Sequence, residues 1–124
     1  MDVQAAKAAI ATVIRAWPEL GYLGLRHPGK FEIHRKQLEG EHAAEEFIRA
    51  VTWLEKVPKR KTFNPYNSSY GIKEAAEKWT GDYISNGVFI AAAIHAGFRV
   101  AQIPGTPNAE IGIATSAKWP KPAA

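Results

Sequence analysis

Apolar residues recur at helical spacing in three parts of the chain and merge into one unbroken block in a fourth. Val3, Ala6, Ile10, Val13, Ile14 and Trp17 return every three or four positions, with Gln4, Lys7 and Arg15 between them. This predicts an amphipathic helix over residues 2–17, capped by Asp2 and followed by Pro18. Ala43, Ala44, Phe47, Ile48, Val51, Leu54 and Val57 predict a second helix from Glu41 to Val57, with acidic residues in its first turn and Lys56 at its end, as the helix dipole favours. Ile72, Ala75, Ala76 and Trp79 predict a third, from about Tyr70 to Trp79, with Ser69 as its cap. The block is residues 84–98, the longest stretch without a formal charge. Ser85 is its N-cap, Ile84 and Phe89 take the hydrophobic-staple positions, and Gly97 is the left-handed stop. Because Val88 to Ile94 is apolar on every face, this helix is expected to be enclosed by the rest of the fold.

The remaining segments carry turn residues and short β signals. Pro18, Gly21, Gly24, Pro28 and Gly29 make residues 18–31 a structured loop with one short strand, and the alternation Phe31-Glu32-Ile33 predicts another. Phe98–Ile103 and Ala109–Ala114, joined by Pro104-Gly-Thr-Pro-Asn108, read as a hairpin. The expectation is an α+β, mostly α domain over residues 1–115, with about four helices, a C-terminal β-hairpin and a flexible tail at 116–124. That element order is winged-helix-like. A recognition helix, however, needs arginine, lysine, asparagine or glutamine on its outer face, and Val88 to Ile94 has none.

Composition changes this picture little, and charge layout changes it more. The 124 residues are 46% apolar, enough for one core and too few for two ordinary domains. No cysteine is present, which excludes disulfides, thiol nucleophiles and thiolate metal sites. With neither a signal-peptide pattern nor a membrane-length apolar run, a cytoplasmic location without membrane contact is expected. The net charge of +4 is modest, but from Glu32 to Glu55 there are six acidic residues, whereas from Lys56 to Lys73 there are five basic residues and no acidic one.

The basic segment carries the leading functional expectation. Lys56, Lys59, Arg60 and Lys61 are followed by Phe63 and Tyr66 in a loop held open by Pro58 and Pro65. Cations there neutralise phosphates while an aromatic ring stacks on a base; the plainer alternative is a solvated linker anchored by its aromatics. A second candidate is an anion site at the start of the apolar helix, with Ser85, Asn86 and Gly87 offering backbone N–H groups and Lys73 or Arg99 completing it. His42 and Glu46 stand four apart, but no third ligand follows by spacing, so no metal and no cofactor is expected. No nucleophile elbow, phosphate loop or dinucleotide fingerprint occurs, and a non-enzymatic protein is expected.

The run Ser69-Tyr-Gly-Ile-Lys-Glu-Ala-Ala-Glu77, followed by Tyr83-Ile-Ser-Asn-Gly-Val-Phe-Ile-Ala-Ala-Ala-Ile-His-Ala-Gly-Phe98, resembles a pattern in small uncharacterised proteins of bacteria, phages and other mobile elements. This chain departs at Glu74, a position often histidine in that pattern. The resemblance implies a mobile-element context, in which small DNA-associated proteins and inhibitors of host defence are both common, and implies no catalytic residue. The expected function is non-specific nucleic-acid binding through phosphate contacts. Its rival is a protein-binding inhibitor or adaptor that docks the same basic loop on an acidic or nucleic-acid-binding host protein, with Trp53 and Trp119 supplying exposed apolar area beside it. A homodimer built on the first helix is a further expectation.

Overall fold

A computed structural model describes residues 1–122. The four expected helices form as α1 (Val3–Ala16), α3 (Glu41–Leu54), α4 (Ser69–Thr80) and α5 (Asn86–His95), and a further helix, α2 (Phe31–Leu38), occupies the place where a strand was expected. The reason lies in α2's inward stripe. Phe31, His34, Arg35 and Leu38 have the spacing of a helical face, but two of the four are polar, which hides the periodicity. Only Leu38 is fully buried. Arg35 stacks its guanidinium on Phe31 at 5.0 Å and donates from Nε to the Leu20 carbonyl at 3.0 Å and from Nη2 to that of Pro18.

Two hairpins complete the fold. β1 (Leu20–Gly21) pairs antiparallel with β2 (Gly24–Leu25), and β3 (Val100–Gln102) with β4 (Ala109–Ile111) in the register Val100↔Ile111 to Gln102↔Ala109. The loop expected to hold one short strand therefore holds two, folded on each other.

The elements meet around α5. It packs against α1, α3, α4 and strands of both hairpins, so every residue from Asn86 to Ala93 is buried. Its caps are as expected: the Ser85 hydroxyl accepts from the Val88 N–H at 3.3 Å, and Gly97 has φ of 86°. Gly87 is required by closeness, since a Cβ there would stand 1.8 Å from the Gly21 carbonyl oxygen. The apolar stripe of α1, with Ala6, Ile10 and Val13 buried, lies against α3 and α5 inside this one core.

Two local expectations are corrected. Ser68, not Ser69, is the N-cap of α4; Ser69 is buried as the first helical residue, and its hydroxyl donates to Asn86 Oδ1 at 2.8 Å and accepts from the Ala109 N–H at 3.0 Å, tying together α4, α5 and β4. Of the stretch 116–124 expected to be a flexible tail, residues 123–124 lie outside the described residues, and the part before them starts with a 3₁₀ turn at Ser116–Lys118. Trp119 then packs edge-on against Trp53, with ring centroids 5.7 Å apart, and donates from Nε1 to the Ala114 carbonyl at 2.7 Å. A winged-helix use of α5 in a DNA groove is excluded by its burial on all sides. No helix among the described residues is long and apolar enough to cross a membrane.

Candidate nucleic-acid interface

The basic segment is not an open linker. After α3, Val57 closes the helix end and is itself buried, and the chain then runs antiparallel beside β4 and the residues that follow it. Ala114 N–H donates to Pro58 at 3.0 Å, Arg60 N–H to Gly112 at 2.9 Å and Asn64 N–H to Ile111 at 2.9 Å, with Lys59 and Ile113 forming a bridge. Gly112 permits this contact, because a Cβ there would stand 2.7 Å from the Arg60 carbonyl oxygen. Asn64, buried, then folds the loop back on itself. Its Oδ1 accepts from the N–H groups of Tyr66 at 2.9 Å and Asn67 at 3.1 Å, while Nδ2 donates to the Ala114 carbonyl at 3.2 Å. Such local side-chain bonds replace the ladder bonds that a loop lacks.

Tertiary packing gathers the cations here. Lys59 Nζ sits 4.8 Å above the Phe98 ring, and Lys56 Nζ 5.6 Å above that of Trp79. Arg99 stacks on Phe63 at 4.8 Å and donates from Nη1 to the Lys61 carbonyl at 3.1 Å, so a residue assigned by sequence to the anion site belongs instead to this face. Arg60 donates from Nη2 to the Thr62 hydroxyl at 3.0 Å. Lys59, Arg60, Thr115 and Lys118 line a shallow hollow of about 210 Å³. Lys118 escaped the sequence reading because nothing in a proline-bearing C-terminal segment marks a residue that folds back beside the basic loop. Of the expected stacking groups, Phe63 is half-buried under Arg99, whereas Tyr66 is 79% exposed. Among the described residues the only ion pair within 4.0 Å is Lys73–Glu77, so no carboxylate neutralises this face by direct contact.

The start of α5 is a different environment, and the expected anion site there is already filled by the chain's own groups. Ile84 N–H donates to Glu77 Oε2 at 3.0 Å and Ser85 N–H to Glu46 Oε1 at 2.7 Å; Gly87 N–H donates to the Tyr22 carbonyl at 3.0 Å. The buried Asn86 is held by Ser69 and by Asn108, to whose Oδ1 it donates from Nδ2 at 3.0 Å. Lys73 is buried too, paired with Glu77 at 3.3 Å and enclosed by the rings of Tyr70 and Tyr83 at 4.6 and 4.8 Å. Glu46 itself turns inward while His42, four residues before it, stays exposed. Its Oε2 accepts from the Tyr22 hydroxyl at 2.5 Å. Burial, with the bond to Glu46 and its charge, pushes the Tyr22 phenol far above its ordinary range, so this hydroxyl stays a donor.

The apolar area expected beside the basic loop is absent from the two tryptophans named for it. Trp53 is fully buried and Trp119 is half-buried against it. Comparisons with protein-family models, curated proteins and solved structures find no match to this chain.

Proposed function

We propose that this protein binds nucleic acid, without reading its sequence, through phosphate contacts on the face formed by Lys56, Lys59, Arg60, Lys61, Arg99 and Lys118. The observation that carries this reading is the clamping of residues 58–64 along β4, which holds the cations of one segment next to Arg99 and Lys118 from distant parts of the chain. A held array binds a regular phosphate backbone with less ordering of side chains than a free linker would require. The charged groups of Lys56, Lys59 and Arg99 lie over the rings of Trp79, Phe98 and Phe63, and Tyr66 is the more exposed of the two candidate stacking rings. The inhibitor or adaptor reading lacks the exposed tryptophan area it called for and is not favoured.

Fluorescence anisotropy of labelled duplex and single-stranded DNA, titrated at several salt concentrations, tests this reading. Binding should weaken linearly on logarithmic axes as salt rises. The triple variant Lys59→Gln, Arg60→Gln, Lys61→Gln should bind more weakly and lower the magnitude of the slope by about 2 to 3, as expected for up to three lost phosphate contacts. Unchanged affinity and slope in that variant would remove the assignment.

A further inference from the structure

The aromatic rings of the basic face are used in two ways. Lys56 Nζ lies over Trp79, Lys59 Nζ over Phe98 and the Arg99 guanidinium over Phe63, at 5.6, 4.8 and 4.8 Å from the ring centres. Tyr66, in contrast, is 79% exposed, the most open large apolar side chain among the described residues. Its backbone is nevertheless held. Asn64 is 4% exposed and donates from Nδ2 to the Ala114 carbonyl at 3.2 Å, while its Oδ1 accepts from the N–H groups of Tyr66 at 2.9 Å and Asn67 at 3.1 Å. Pro65, between them, has its φ set by its own ring. The same neighbours, residues 111–114, therefore anchor both the cations and the turn that carries this tyrosine. The step from Phe63 to Tyr66 spans at most ~11 Å of chain, so an open ring stands on a fixed turn beside the Arg99 and Phe63 stack.

We infer that the nucleic acid taken by this face is single-stranded, with an unpaired base stacked on Tyr66 while Lys59, Lys61 and Arg99 hold the phosphates beside it. The inference rests on the phosphate-contact reading and adds the substrate class to it. An unpaired base offers its flat face to a ring. In a duplex every internal base is stacked on both sides, so a surface tyrosine reaches one only at an end or by wedging a step open, which costs unstacking. The face also lacks an element that enters a groove, because α5 is enclosed and residues 58–64 lie along β4. A duplex therefore gains phosphate contacts alone. Its charge is denser, so at low salt those contacts favour it, and a single strand is preferred only through the stacked base. One stacked base is worth about tenfold in affinity. Duplex contacts also weaken faster as salt rises, with a logarithmic slope of about 0.9 per contact against about 0.7 for a single strand. The preference for single strands should therefore widen with salt.

Fluorescence anisotropy with the full chain separates stacking from phosphate contact. The probes are labelled thymidine and uridine strands of about 12 nucleotides, a duplex of the same length, and a strand of that length made of abasic sites, which keeps the phosphates and lacks the bases. The base-bearing strands should bind about tenfold more tightly than the abasic one, and the tighter of the two assigns DNA or RNA as the source. Tyr66→Ala should bring them down to the abasic level while leaving duplex affinity, abasic affinity and every salt slope as in the parent. Tyr66→Phe should keep the parent's affinity, because the ring stacks and the hydroxyl does not. Both variants retain the backbone N–H that Asn64 holds, so the turn persists. If base-bearing and abasic strands bind alike, or if Tyr66→Ala binds thymidine and uridine strands as the parent does or weakens the duplex equally, the stacking inference falls and the phosphate reading stands. If no probe binds at low salt, both fall together.

Discussion

The two ends of α5 treat charge in opposite ways. At its start, the carboxylates of Glu46 and Glu77 are drawn inward onto backbone N–H groups, and Lys73 is enclosed between two rings. Beyond its end, Lys59, Lys61 and Arg99 keep their charges at the surface, supported by aromatic rings and carbonyls and not by acids. Ten helical residues at ~1.5 Å each separate the two regions. The difference separates charge that holds the fold from charge left facing solvent. Buried charged groups must be satisfied internally or they destabilise the native state, while exposed ones carry no such demand and are free for a partner.

Substitutions at the two ends should therefore differ in kind. The largest effect is expected at Gly87→Ala, where the new methyl meets a backbone oxygen that cannot rotate away, and the β1–β2 turn must shift. A loss of about 3 kcal/mol or more by urea unfolding is predicted, and a variant as stable as the parent would show that the hairpin does not press on α5. Glu46→Ala should come next, at about 2 to 3 kcal/mol, because it strands the Ser85 N–H and the Tyr22 hydroxyl in a buried place. If its unfolding midpoint is unchanged, the charge at this end is not structural.

A smaller effect is set by pH. The Tyr22 phenol is raised by burial first and by Glu46 second, and that of Tyr83 is raised by burial and by Glu46, Glu77 and Tyr70 against the opposing pull of Lys73. The folded chain thus keeps protons that the unfolded chain releases above a pH of about 10. Their contribution to stability is complete below that pH and declines as pH rises past it. Tyr22→Phe should cost about 1 kcal/mol near neutrality and should lose less than the parent between pH 9 and 11, and parallel losses would separate Tyr22 from this end's stability. The smallest effect on folding belongs to the other end. Lys59→Gln, Arg60→Gln, Lys61→Gln should alter stability by no more than about 0.5 kcal/mol, while changing nucleic-acid affinity and its salt dependence; a large loss of stability would assign these cations to the fold.

Much of the architecture is legible in the order of residues. The 3.6-residue stripes of α1, α3 and α4, the uniform apolarity of α5 with Ser85 and Gly97 at its ends, and the C-terminal hairpin all reflect local preferences and repeating burial. α2 was not legible, since His34 and Arg35 occupy inward positions that only the carbonyls of Pro18 and Leu20 and the rim of β1 make tolerable for Arg35. The site was legible in part. The basic run from Lys56 to Lys61 stands out in one dimension, but Arg99 and Lys118 join it only because residues 58–64 pair with 111–114. Phe63 and Tyr66 look equivalent in sequence, yet one lies beneath a guanidinium and the other faces solvent.

By itself, then, the order of residues determined where α1, α3, α4 and α5 lie to within a few residues, that α5 would be enclosed, and that one acidic stretch is followed by one basic stretch. Periodicity and capping are local, and a charge run is visible without folding. Tertiary structure alone decided the fate of each charge. A glutamate becomes an internal cap or a surface group according to whether a distant N–H comes within about 3 Å of it, and that distance depends on how α3, β1 and α5 pack, not on the residues beside Glu46 in the chain.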